Sequence, residues 1–161
     1  MRLAPCNLLA CLAFVFLASS VFGCGNQDDS TPIACLEGAG AYEKALRRAP
    51  AAVRLQGGTP ISDCLASNQE AGDLEQVGEA VVEVATNLNA KGREEPDSDA
   101  ALRLGYLIGA AQRGAADSEG IQSDLLRRLA VAARFAPDKQ PLPPGFFAHY
   151  REGFDAGRVS G

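Results

Sequence analysis

DAALRLGYLIGAAQRGA, residues 99–115, reads as a helix with two side chains missing from one face. Gly105 and Gly109 are four apart, and Ala101 falls one turn before them. An isolated glycine costs a helix about 1 kcal/mol against alanine, so a pair at this spacing implies a compensating contact. Residues four apart share a helix face, and a face without side chains is flat. The spacing therefore predicts a second helix in close approach. In membranes it marks association faces, but Arg103 and Arg113 argue against a span here.

The partner offered by the chain is its last segment, GFFAHYREGFDAGR, residues 145–158, with a second four-apart pair in Gly153 and Gly157. Phe147, Tyr150 and Phe154 fall at helical spacing in it. The expectation is that helix 99–115 and this helix dock through their glycines while the aromatic stripe packs into the core. Tyr106 to Gly109 and Tyr150 to Gly153 share a Tyr-x-x-Gly pattern, too short to count as a repeat.

Other helices flank this pair. Residues 34–49 read as helical, with Arg47 and Arg48 in the last turn, where cations suit the dipole, and Pro50 as a stop. Thr59-Pro60 pairs a capping residue with proline at the first helical position and predicts a short helix containing Cys64. From Leu74 to Lys91 the residues Leu74, Val77, Val81, Val84 and Leu88 form one apolar stripe. Asp73 with Gln76 suggests a capping box there, and Gly92 a C-terminal stop. Under three heptads long, the stripe is read as packing within the monomer rather than as a coiled-coil seam. Ser118 is expected to cap a further helix with Ile121, Leu125, Leu129 and Ala132 or Ala133 inward, ended by Pro137. PDKQPLPP, residues 137–144, reads as an extended connector. The fold class is thus all-α: a single compact domain of five or six short helices over residues 34–160.

The N-terminal end has a different character. Arg2 precedes an apolar core, LLACLAFVFLA at residues 8–18, and a short segment ending in small residues: the layout of a secretory signal peptide. The run is shorter than the 20 or so residues needed to span a bilayer. Val21-Phe22-Gly23-Cys24 resembles the lipobox of bacterial lipoproteins, with a branched aliphatic three residues before the cysteine and a small residue just before it. Phe22 is bulkier than is usual at its place. The resemblance covers only residues 1 to about 30. It implies cleavage before Cys24, a diacylglyceryl group on the Cys24 thiol, and attachment to a membrane through that lipid. The location implied is the extracytoplasmic face of the cell membrane, or an outer membrane where one exists. Val21 and Gly23 also suit the general signal peptidase, so ordinary secretion is the alternative. Residues 1–23 would be the signal and 24–33 a flexible tether.

On this reading Cys6 and Cys11 leave with the signal and the lipid consumes Cys24. Of five cysteines, Cys35 and Cys64 remain, in a compartment that permits oxidation, with one possible pairing. A disulfide between them closes a loop of about 30 residues, worth about 3 to 4 kcal/mol in the loop-entropy account. A metal pair or a reactive thiol would need supporting ligands, which the neighbouring sequence lacks.

The chain has 161 residues and a net charge of −5, so no basic surface invites nucleic acid. His149 is the one histidine, which rules out a multi-histidine metal cluster. No phosphate-cradling loop or nucleophile elbow appears. His149 with Glu152, three residues on, is the one acid–base combination worth weighing, and it reads as the polar edge of a terminal helix. The expected function is therefore non-enzymatic, with no cofactor: an envelope module that binds an unidentified protein or ligand, or has a structural role. The alternative is a carrier of a small apolar ligand, with a pocket between helices around Tyr106, Phe147, Tyr150 and Phe154.

Overall fold

The structure, a computed structural model, describes residues 30–161 apart from 119, 121, 137 and 138. The segment expected to be a signal, residues 1–23, and Cys24 lie outside the described residues, as do Ile121 and Pro137. Among the described residues five α-helices follow in order: α1 (Ala39–Leu46), α2 (Ala71–Glu94), α3 (Ala100–Gly114), α4 (Ser123–Ala132) and α5 (Phe146–Ser160). Short 3-10 turns at Ile33–Leu36, Gln56–Gly58, Ile61–Leu65 and Ala115–Asp117 link them, and no strand occurs among the described residues. The protein is all-α, as expected, but not all its helices are short. At 24 residues α2 is about 36 Å long.

Helices α3 and α5 meet through their glycines. A Cβ placed on Gly105 would fall 1.9 Å from Tyr150 O, and one on Gly109 would fall 2.2 Å from Phe154 O. From the other side, a Cβ on Gly153 would lie 1.8 Å from Leu102 O and one on Gly157 2.2 Å from Tyr106 O. No other residue type fits at these four positions without separating the backbones. The contacts also fix direction, because residue numbers climb together on both helices and the pair is therefore parallel. Two parallel helices need a return path, and residues 115–145, with α4 among them, supply it. The backbone of Tyr106 lies against Gly153 and Gly157, so the shared Tyr-x-x-Gly pattern is out of register with the packing and marks no structural equivalence.

Helix α3 is the centre of the core. Leu104, Tyr106, Leu107, Ala110 and Ala111 have no exposed surface. On α2 the stripe Val77, Val81, Val84 and Leu88 is buried, and Leu74 packs at its edge. The end of α5 is tied down by groups that satisfy its last carbonyls. Arg54 donates to Ser160 O (2.7 Å), Ser62 Oγ to Gly161 O (2.7 Å) and Arg113 to Val159 O. The two guanidinium groups also complement the negative end of the helix dipole.

Cys35, in the first 3-10 turn, and Cys64, in the turn Ile61–Leu65, form a buried disulfide with Cα atoms 5.4 Å apart and a sequence separation of 29. The helix expected over 34–49 is divided at Gly38, whose φ of +80° no helix accommodates. Tyr42 Oη crosses the break to donate to Cys35 O at 2.9 Å.

Helix α2 starts earlier and ends later than its sequence signals. Glu70 is the N-cap, and Gln76, rather than closing a capping box, donates to Leu36 O at 2.7 Å. Gly92 lies within the helix, and its missing side chain makes room for Phe146: a Cβ there would be 2.8 Å from the ring. Ser118 does not start α4. Its hydroxyl donates to Ala115 O at 2.7 Å, and the helix begins at Ser123.

Candidate functional site

The region with most exposed apolar surface lies where α2, α4, α5 and the connector after α4 come together. Its frame is polar. Asn89, buried on α2, donates through Nδ2 to Ala132 O (3.1 Å) and Phe135 O (2.6 Å), satisfying carbonyls at the end of α4. One turn on, Arg93 Nε donates to Asn89 Oδ1 at 3.1 Å, and its Nη1 reaches Gln140 O at 3.3 Å. The connector is thereby pinned against α2, and the Arg93 guanidinium is held in place.

Beside this frame is an open groove of about 420 Å³. Ile108, Ala133 and Phe146, all buried, form its apolar wall, while Leu142 and Phe147 stand at its edge, 43% and 59% exposed. Arg93, Gln112, Arg134 and Tyr150 bring the polar groups. Arg134 Nε donates to Ala130 O at 3.0 Å. The Tyr150 phenol is pushed above its ordinary range by burial, while the Arg134 guanidinium pulls it the other way. The Tyr150 ring stacks at 6.2 Å on Phe154, and Arg151 covers the Phe147 ring at 5.1 Å.

A second groove of about 480 Å³ adjoins the first through Arg93 and is lined by Asn89, Glu94, Phe135 and Pro141. Beyond it a shallow depression joins Val82, Arg128, Val131 and Phe135. Val131, Phe135, Leu142 and Phe147, all exposed, thus line a series of adjoining depressions joined through Phe135 and Arg93, called the strip below. Arg128 and Arg134 along it make no ion pair among the described residues; Arg127 pairs with Asp124.

The four residues expected to line one pocket are divided. Phe147 and Tyr150 line the groove, and Phe154 packs against the core behind Tyr150. Tyr106 is fully buried elsewhere: its hydroxyl accepts from Val53 N at 2.9 Å and lies 3.1 Å from Ser160 Oγ. The aromatic stripe therefore packs inward only in part, with Phe147 outward. Arg93 and Arg134, which give the groove its charge, come from α2 and the end of α4, and no local pattern singles them out. His149, Glu152 and Asp155 are exposed, and no hydrogen bond or ion pair joins His149 to Glu152. Among the described residues no cluster of three or more His, Cys, Asp or Glu side chains gathers as a metal site would, and no helix is long and apolar enough to cross a membrane.

Comparison with protein-family models, with curated proteins and with solved structures finds no match to this chain.

Proposed function

We propose that the protein is an extracytoplasmic lipoprotein, attached to a membrane through Cys24, whose helical domain is a non-enzymatic binding module of the cell envelope. The observation that carries the binding part is the exposed strip Val131, Phe135, Leu142 and Phe147, bordered by arginines without acidic partners. Side chains of this size left together on a small domain's surface are characteristic of interaction sites. The buried Cys35–Cys64 disulfide supports the address, since such bonds persist in oxidising compartments and are rare in the cytosol. Anchoring by lipid leaves the strip free for a partner rather than for holding the protein to the bilayer.

The test of the anchor is Cys24→Ser. In cells fed a tagged fatty acid, the native protein is expected to take up the label and the variant to remain unlabelled. An unlabelled native protein would overturn the proposal.

The groove itself favours a second reading, that of a small-ligand carrier. Its volume of about 420 Å³ falls among those of small-molecule sites, and its apolar wall with few polar groups is their usual make-up.

A further inference from the structure

We infer that the groove between α4, α5 and the connector is a binding site for an amphipathic organic monoanion, one apolar tail or ring system bearing a carboxylate-like head. This rests on the carrier reading above and adds to it the charge and shape of the ligand.

Charge is the first argument. The chain carries 20 acidic against 15 basic residues, yet the groove lining holds two arginines and no acid. The availability of its donors is the second. Arg134 spends only Nε, on Ala130 O, which leaves both terminal nitrogens without a partner among the described residues. The hydroxyl of half-buried Tyr150 and the amide of exposed Gln112, both in the groove lining, likewise make no hydrogen bond there. None of these donors has to break an internal hydrogen bond to meet a bound head group. Arg93 is already oriented by Asn89 and Gln140, so its charge is fixed at no further ordering cost. A planar guanidinium fork presents paired donors at the spacing of a carboxylate's two oxygens.

The apolar half is equally explicit. Ile108, Ala133 and Phe146 give a buried wall, and Leu142 and Phe147 can fold over a tail laid against it. The adjoining groove is a weaker candidate, because Glu94 lines it and Asn89 is already bonded to backbone carbonyls. Arg134 and Arg93 would hold the head, with Tyr150 donating to it, and Phe146 and Phe147 would hold the tail.

Two fluorescent probes that differ by one charged group separate the claims: anilinonaphthalene sulfonate and the neutral N-phenylnaphthylamine. They are titrated into the mature chain, residues 24–161, carrying Cys24→Ser, so that neither an attached lipid nor the apolar run at residues 8–18 competes. The anionic probe is expected to bind saturably, to be displaced by laurate, and to bind roughly tenfold more tightly than the neutral one, as one charge-assisted contact provides. Arg134→Gln, at an exposed position, should bring the anionic probe to the level of the neutral one without altering the melt. Ala130 also lines the groove, so Ala130→Trp, which fills it, should abolish both. If the native protein binds the probes equally, the anion claim falls while the carrier reading stands. If neither binds, or Ala130→Trp changes nothing, the carrier reading falls and takes the inference with it.

Discussion

Tyr42 and Tyr106 are the two largest fully buried side chains, and each brings a hydroxyl into an apolar interior. An unpaired buried hydroxyl would cost about 1 to 3 kcal/mol, and both are paired. Tyr106 sits in a relay: Val53 N–H donates to it, it donates to Ser160 Oγ, and Ser160 donates to Ala156 O at 2.9 Å. Tyr42 bonds Cys35 O, and burial pushes its phenol far above the ordinary value of 10.0. The sign of the resulting pH dependence follows from linkage. The folded chain keeps this proton at pH values where the unfolded chain releases it, so stability holds below about pH 10 and falls as pH rises beyond. Tyr42→Phe should cost about 1 kcal/mol at neutral pH and shrink the alkaline loss, leaving the smaller part due to Tyr150, which shifts in the same direction. Urea melts at about pH 8 and about pH 11 would show this. An undiminished alkaline loss in the variant would contradict it.

Among the elements, the parallel α3–α5 pair is the feature on which the fold turns, and its glycines make a prediction about sign. Alanine normally stabilises a helix by about 1 kcal/mol over glycine. At Gly40, in α1, a Cβ meets nothing within 4 Å, so Gly40→Ala should raise the melting temperature slightly. At Gly105 the same atom would fall 1.9 Å from a backbone oxygen, so Gly105→Ala should lower it, by roughly 5 to 10 °C for a loss of about 2 to 3 kcal/mol. Shifts of equal sign, read by circular dichroism, would mean that the two helices do not approach so closely. This contact was legible because its signal is local: two four-apart glycine pairs are visible in two short segments. The errors have non-local causes. Gly92 reads as a stop until Phe146, distant in sequence, is seen to need its space. Ser118 reads as a cap, but its hydroxyl turns back to Ala115. Phe147 keeps helical spacing with its aromatic neighbours and still points outward, because the periodicity of one helix cannot show how far its partners reach. The groove was half legible for the same reason: Phe147 and Tyr150 belong to one helix, while Arg93 and Arg134 arrive from elsewhere.

At the scale of the molecule, the disulfide lies at the point where the chain enters the domain. Cys35, near the start of the described residues, is fixed to Cys64, and Tyr42 and Gln76 hold the same turn through the carbonyls of Cys35 and Leu36. Under the proposed lipid anchor, a pull on residues 24–33 would be borne by a cross-linked turn packed on α2. The exposed strip and the groove involve the later part of α2, with α4, α5 and the connector. This separation suits a protein held at one place and binding at another. The proposed address depends on what becomes of Cys24, because in that proposal a lipid on Cys24 supplies the attachment and leaves only Cys35 and Cys64 to pair. The direct measurement is the mass of the N-terminal peptide of the mature protein, isolated from its own cells. A lipid-anchored protein yields a peptide that begins at Cys24 and carries a diacylglyceryl group, with or without a further acyl chain on the new amine. An unmodified Cys24, or a chain still beginning at Met1, would contradict the proposed anchor.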